Sequence, residues 1–320
     1  AILTLFNKGY ARDPDGSLTL LSIQFGASRG PTMKLLRYGK PGSERPGLLD
    51  SSGTLRDIGA FIDDIAGAHL SEIGLRRLRE IDTSFLPLVE GNVRYGPPVG
   101  QVGKFICVGL NYADHAADSG VAVPEMPILF MKATTAICGA YDAVIIPKGA
   151  SKCDWEVELG VVIGDVARDV APEYALRHVA GYVVINDVSE RDFQFEHGGQ
   201  WVKGKSCDTF GPIGPWLVTK DEVPDPQNLS MWLEVNGHRY QSGNTRTMVF
   251  GVAELVSHIS RYMTLMPGDV ISTGTPPGVG LGQKPPVYLK AGDVMELGIQ
   301  GLGLQRQYVV AHPGSEEYRC

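Results

Sequence analysis

The sequence predicts an α+β chain that is predominantly β. Short apolar stretches recur about every ten residues between turn signals, the pattern of a strand-rich core and not of a doubly wound sheet. Gly (40) and Pro (21) are frequent among the 320 residues, which favours tight connections. Only Val252 to Met263 carries a clear helical stripe, through Val252, Leu255, Val256, Ile259 and Met263. With 43% hydrophobic and 20% charged residues, the chain can bury a sizeable core, and disorder is excluded.

The elements follow in order. Asp13-Pro14-Asp15-Gly16 is a turn signal between short apolar patches, and Met33 opens a strand, Met33-Lys34-Leu35-Leu36-Arg37-Tyr38. Residues 1–32 are therefore expected to be a non-native or flexible extension, with an N-terminal hairpin as the alternative. Asp13, Asp15 and the sparse arginines argue against a transit peptide. Residues 33–100 read as a small strand-rich domain. Leu48 to Leu55 holds two short strands and a turn. Ser71 caps a helix to Arg79 with Ile73, Leu75 and Leu78 apolar. Gly96-Pro97-Pro98 marks its boundary. Residues 101–312 form the main domain, and 313–320 a tail. Within it, strands are expected at Phe105 to Gly109, Trp155 to Gly164 and His178 to Asp187. Further strands are expected at Asp269 to Thr273, Val287 to Lys290 and Val294 to Ile299, with a short helix from Asn111 to Ser119.

The composition also excludes partners. The formal net charge is −7, without a Lys/Arg block, so neither nucleic acid nor an anionic membrane is expected to bind. No apolar run approaches the roughly 18 residues of a membrane span, and no secretory signal is evident. Cys107, Cys138, Cys153, Cys207 and Cys320 are scattered, with no CxxC pair. That argues against a disulfide framework and a thiolate zinc site, and for a reducing, cytoplasmic location.

The most informative stretch is Asp154-Trp155-Glu156-Val157-Glu158-Leu159. On a strand, Glu156 and Glu158 share a face, with Cα atoms about 6.5–7 Å apart, while Val157 and Leu159 turn to the core. Two carboxylates in an otherwise apolar run are costly unless positive charge compensates them. Asp187 ends the next apolar strand and supplies a third. Three oxygen ligands without a paired His or Cys suit Mg²⁺, Mn²⁺ or Ca²⁺ rather than zinc. His115 and Asp118, three apart, share a helix face, where a carboxylate raises the basicity of an imidazole. Lys132 follows an apolar run and is a candidate to approach the site.

These segments, with Asn186-Asp187-Val188-Ser189-Glu190-Arg191-Asp192, Thr273-Gly274-Thr275-Pro276-Pro277-Gly278-Val279-Gly280, Gly109-Leu110-Asn111-Tyr112-Ala113-Asp114-His115 and Lys203-Gly204-Lys205-Ser206, resemble the fumarylacetoacetate hydrolase family over roughly residues 101–311. The resemblance implies that family's mixed β-sandwich roll and a homodimer or higher homo-oligomer. It implies Glu156, Glu158 and Asp187 as ligands of one Mg²⁺ or Mn²⁺ per subunit. It makes the helix of His115 and Asp118 a lid that activates a water, although the family pattern has Glu where this chain has Asp118. It implies Arg191, Gln194 and Lys205 as donors to a developing oxyanion, a role that stabilises the transition state. Thr275 would hold a substrate carboxylate. Other motifs fail: Gly274 to Gly282 lacks the Lys-Ser/Thr end of a phosphate loop, and no Gly-x-Ser-x-Gly or His-Glu-x-x-His occurs. Trp232 and Tyr240 read as packing residues, and His197-Gly198-Gly199 as a turn near Lys205.

The resemblance points to divalent-metal-dependent C–C hydrolysis of a 2,4-diketo acid, releasing pyruvate. The Met33-Lys34-Leu35-Leu36 opening, Gln200-Trp201-Val202-Lys203-Gly204-Lys205 and Cys207-Asp208-Thr209-Phe210-Gly211-Pro212 resemble hydrolases of 2,4-diketo-3-deoxy sugar acids, of the L-rhamnonate or L-fuconate type. The second product would then be a hydroxy acid such as lactate, in carbohydrate catabolism. Oxaloacetate tautomerisation or decarboxylation, and isomerisation or hydration in aromatic-acid catabolism, are the alternatives.

Overall fold

The computed structural model describes residues 10–12, 18–20, 33–114 and 123–314. The chain divides into two compact units, Ala1–Pro31 and Thr32–Cys320. In the first, strands Tyr10–Arg12 and Leu18–Leu20 pair antiparallel on either side of the Asp13-Pro14-Asp15-Gly16 signal.

Among the described residues, the second unit holds two large sheets and the small strand pair Cys153–Asp154 with Ser189–Glu190. The larger has eleven strands. Its main path runs Leu55–Asp57, Arg45–Leu49, Lys34–Tyr38, Gly211–Thr219, Val179–Asn186, Val157–Ile163, Val270–Ser272, Phe105–Gly109 and Ile128–Lys132. Tyr95–Gly96 and Ile137–Gly139 attach beside this path, and Pro97 and Pro98 follow the former directly. The strands of residues 34–57 thus continue the sheet that carries the metal-ligand candidates. The smaller sheet runs Val144–Ile145, Gly303–Val310, Val294–Ile299, Ser230–Val235 and His238–Asn244.

Strand alternation divides the core in two. Val157, Leu159, Val161 and Ile163 pack on one side, with Tyr182 and Val184, against Met231, Leu233, Met295 and Leu297 of the smaller sheet. Helix Val252–Tyr262 adds Val252, Leu255, Val256 and Ile259 to the same cluster. Val162, Val183 and Ile185 face the other way, toward Leu70, Leu75 and Leu78. All seven residues of Val157–Ile163 are buried, as expected of a central strand covered on both faces.

Most expected strands are present, some trimmed by a residue or two. Glu156 lies just before its strand, which starts at Val157. Helix Glu72–Arg79 begins after Ser71, whose Oγ accepts from the Gly74 N–H at 3.1 Å. Its stripe is narrower than expected: Leu75 and Leu78 are buried, but Ile73 is exposed. Val287 to Lys290 is irregular and not a strand. Its N–H groups go to unrelated partners, Val287 to the Gly280 carbonyl and Leu289 to the Cys153 carbonyl, so no ladder forms. Of the helix expected from Asn111 to Ser119, Ala113 and Asp114 are helical, and residues 115–119 lie outside the described residues. Cys107, Cys138, Cys153 and Cys207 are free thiols. Among the described residues, no helix is long and apolar enough to cross a membrane.

Leu297 is fully buried between the sheets. Leu297→Ala should therefore lower unfolding stability by about 2–5 kcal/mol. A urea titration checks this as a drop in midpoint at constant slope.

Candidate active site

Strand parity brings the acids together. Asp187 follows Ile185 at the same parity, and Glu156 and Glu158 share parity with Val162, so all three turn to the same side of the sheet. Register completes the match: Val157 pairs with Asn186 and Glu158 with Ile185, while the Asp187 N–H donates to the Glu156 carbonyl at 2.9 Å. One oxygen from each of Glu156, Glu158 and Asp187 lies within 4.8 Å of the others, and all three residues are buried.

Three buried cations face these carboxylates. Lys205 Nζ bridges Glu156 Oε2 at 2.7 Å and Asp187 Oδ2 at 2.8 Å. Arg191 Nη2 donates to Glu156 Oε1 at 2.8 Å. Lys132 Nζ donates to Asp187 Oδ1 and to the Val188 carbonyl. Burial pushes the Glu156 carboxyl up, but Lys205 and Arg191 more than reverse it and hold the group at about 2. Burial opposes the charge on Lys205 as well, and Asp187 and Glu156 raise its pKa above the usual lysine range. Glu158 differs. Its Oε2 accepts from two neutral donors, Ser272 Oγ at 2.6 Å and the Gly274 N–H at 2.9 Å. Burial and the neighbouring Asp187 and Glu156 push it well above the carboxylate range. Gly274 has φ +97°, a conformation that favours glycine, and this turn aims its N–H at Glu158.

The donor set fits a hard divalent cation: three clustered oxygen ligands, one of them without a cationic partner in direct contact. Glu156, Glu158 and Asp187 would hold it, and it would supply Lewis-acid polarisation of a bound oxygen.

The cluster opens on a cavity of about 570 Å³ bordered by Glu156, Glu158, Arg191, Gln194, Lys205 and Thr275. Arg191 and Gln194 sit on helix Arg191–Phe195, joined by an Nη1–Oε1 hydrogen bond of 3.0 Å. Lys205 ends helix Val202–Lys205, with Nζ 5.0 Å from the Phe130 ring centre. Phe130 and Phe195 pack edge-on against Trp201, at 5.3 and 6.0 Å between ring centres, and form an apolar wall. Lys132 is 2% exposed, does not border the cavity, and stands behind Asp187 as its counter-ion. Thr275 borders the cavity, but its hydroxyl donates to the Val157 carbonyl at 2.9 Å and accepts from Gln241 Nε2 at 2.8 Å. That leaves the hydroxyl no proton for a substrate carboxylate. His115 and Asp118 lie outside the described residues. Tyr240 packs on Trp155, with ring centres 4.7 Å apart.

Sequence reasoning passed over several supporting groups. Asp154 binds Arg191, and Ser272 binds Glu158. Asn186 accepts from the Glu156 N–H at 3.2 Å and donates to Gln307 Oε1 at 3.1 Å, tying the metal-ligand strand to the smaller sheet. Two signals were legible: the Asp154 carboxylate in an apolar run, and an Asn in the next one. Neither signal names its partner, which comes from a distant part of the chain.

The profile described as fumarylacetoacetate (FAA) hydrolase C-terminal matches residues 104–310. A Burkholderia multivorans protein, provisionally named a hydrolase, is 64% identical over 86% of this chain and 98% of its own length. The fumarylacetoacetate hydrolase of Exiguobacterium antarcticum is 39% identical, with TM-score 0.77 over 88% of this chain and 100% of its own. The 2-hydroxyhepta-2,4-diene-1,7-dioate isomerase of Mycobacterium marinum is 32% identical, with TM-score 0.68 over 89% and 100%. A maleylpyruvate hydrolase from Sphingobium sp. SYK-6, solved with manganese(II) and pyruvate, is 30% identical, with TM-score 0.72 over 87% and 99%.

The geometry around Glu158 generates a graded prediction. Glu158→Ala should abolish measurable Mn²⁺ binding. Ser272→Ala, which removes only the hydroxyl that holds Glu158, should weaken it by about tenfold. Calorimetric titration with Mn²⁺ reads both.

Proposed function

The chain belongs to the fumarylacetoacetate hydrolase family, a family of hydrolases and isomerases, and on that premise we propose that it hydrolyses a C–C bond in a 2,4-diketo acid. The observation that carries this reading is the buried cluster Glu156, Glu158 and Asp187, set beside Arg191, Gln194 and Lys205 at one cavity. The manganese and pyruvate bound by the Sphingobium enzyme support it.

Glu156, Glu158 and Asp187 would hold a Mg²⁺ or Mn²⁺, which would supply Lewis-acid polarisation of the substrate's 2-oxo group. The chain's own residues do the rest. His115, which the sequence places three residues from Asp118, would take a proton from a water, and the hydroxide would add to C4. Arg191, Gln194 and Lys205 donate to the tetrahedral oxyanion. The C3–C4 bond then breaks, its electron pair stays on C3 of a pyruvate enolate, and C4 leaves as a carboxylic acid. The proton held at His115 returns to C3. Phe130, Phe195 and Trp201 supply an apolar side to the cavity in which this step would run. With the metal-site carboxylates engaged, Arg191 and Lys205 each retain N–H groups for the substrate. The proposed substrate is a 2,4-diketo-3-deoxy sugar acid such as L-2,4-diketo-3-deoxyrhamnonate, which would give pyruvate and lactate. The proposed setting is cytoplasmic carbohydrate catabolism, with the protein acting as a homodimer.

The test is pyruvate release from a synthetic 2,4-diketo-3-deoxy sugar acid. Pyruvate and hydroxy acid should appear in equal amounts with Mg²⁺ or Mn²⁺ and vanish with chelator. Glu156→Ala and His115→Ala should each lower kcat by at least about 10²-fold. A folded, metal-loaded protein that releases no pyruvate would sink the hydrolase reading. Exchange of C3 deuterium without cleavage would then identify the proton-transfer chemistry of the isomerase relatives, and oxaloacetate would be the next substrate to try.

A further inference from the structure

Asp154 is fully buried, yet it lies outside the acidic cluster of the metal site. Its carboxylate is saturated with donors. Oδ1 accepts from the Trp155 N–H at 2.8 Å and the Gly280 N–H at 2.6 Å. Oδ2 accepts from the Leu281 N–H at 2.9 Å and from Arg191, Nε at 2.8 Å and Nη2 at 2.7 Å. The two ends of this bridge have different jobs. Gly280 and Leu281 belong to the turn Gly280–Gly282, and Leu281, Gly282 and Gln283 border the cavity. Arg191 continues from Asp154 to Glu156 and Gln194, so each of its three nitrogens has a fixed acceptor.

Local sequence makes this bridge possible. The strand pair Cys153–Asp154 and Ser189–Glu190 sets Asp154 opposite Ser189, two residues before Arg191. A Cβ at Gly280 would sit 2.0 Å from the Val287 carbonyl oxygen and 2.7 Å from Asp154 Oδ1, so glycine is what lets that N–H approach. A buried carboxylate is costly without such compensation, and charge-assisted bonds to three amides and a guanidinium offset the cost.

We propose that Asp154 is a positioning residue: its carboxylate locks the Arg191 guanidinium and the Gly280–Leu281 cavity wall into one unit. Asp154 does not touch the substrate. It acts through Arg191, whose N–H groups must face the oxygen that gains charge. The order of the wall and the aim of the arginine then rise and fall together. The inference rests on the metal-dependent 2-oxo-acid reading for its ligand probe and for what Arg191 faces, whereas the coupling of Arg191 to the wall does not.

The experiment uses the full chain and two readouts. In metal-free protein, hydrogen exchange is followed at the Gly280 and Leu281 amides. Asp154→Asn should speed both, and Arg191→Lys should speed them too, because the arginine holds the carboxylate that holds the wall. Unchanged exchange in Arg191→Lys would overturn the coupling. In Mn²⁺-loaded protein, binding of oxalate, which cannot be hydrolysed, is measured by calorimetry. Asp154→Asn should weaken oxalate about tenfold while Mn²⁺ affinity stays within about threefold. In the Arg191→Lys background the same substitution should cost almost nothing further. An undiminished loss there would show that Asp154 acts independently of Arg191 and refute the proposal. Should Asp154→Asn not fold, Asp154→Glu keeps the charge but misplaces it, and the same non-additivity is required of it. If wild-type protein binds neither Mn²⁺ nor oxalate, the proposed function fails, and the exchange comparison still decides this inference.

Discussion

Everything at the site depends on holding three largely buried carboxylates close together at the edge of the cavity. Glu156, Glu158 and Asp187 are buried on one side of a central strand pair. Each uncompensated charge there would cost several kcal/mol. Lys205, Arg191 and Lys132 supply the compensation, and they do so unevenly. Glu156 and Asp187 each meet two cationic side chains and share Lys205. Glu158 meets a hydroxyl and an amide. That asymmetry leaves one carboxyl without a cationic partner in direct contact, which suits the cluster to a divalent ion better than a closed ion-pair network would.

The rest of the fold reads as support for that arrangement. The two short helices after Asp187 carry Arg191 and Gln194 on one and Lys205 on the other, close to the strand end that bears the acids. The turn after Ser272 gives its Gly274 N–H to Glu158. The smaller sheet reaches in through Gln307 and Asn186 to the Glu156 backbone. Buried polar chains of this kind need every member satisfied, and here each link is. Asp154 performs the same service for the arginine and the cavity wall. The charges of the site are thus pinned from several elements at once.

Much of this was legible in the chain. Residues 157–163 and 179–186 are apolar runs whose period and length mark strands, and the acids at 156, 158 and 187 break that pattern where an apolar residue would have been cheaper. The Ser71 cap and the stripe of Val252–Tyr262 were visible because they are local. Val287 to Lys290 misled for the same reason: its composition suits a strand, but whether it joins a ladder depends on distant partners. Lys205 alone looks like a solvated loop lysine, and Thr275 like a free hydroxyl. Their actual partners, Glu156 with Asp187 and Val157 with Gln241, come from elsewhere in the chain.

By itself, then, the sequence determined the strand-rich class, the three acids, their common face and the kind of ion they suit. Alternation and ligand chemistry are properties of residue type and spacing, and these need no partner. Tertiary structure alone decided which cation answers which carboxylate, that Lys132 stands behind Asp187 and away from the cavity, that Thr275 spends its proton on Val157, and that Asp154 joins Arg191 to Gly280. Those are long-range pairings, with partners up to 126 residues apart, and only the register of the assembled sheets brings them within hydrogen-bonding distance.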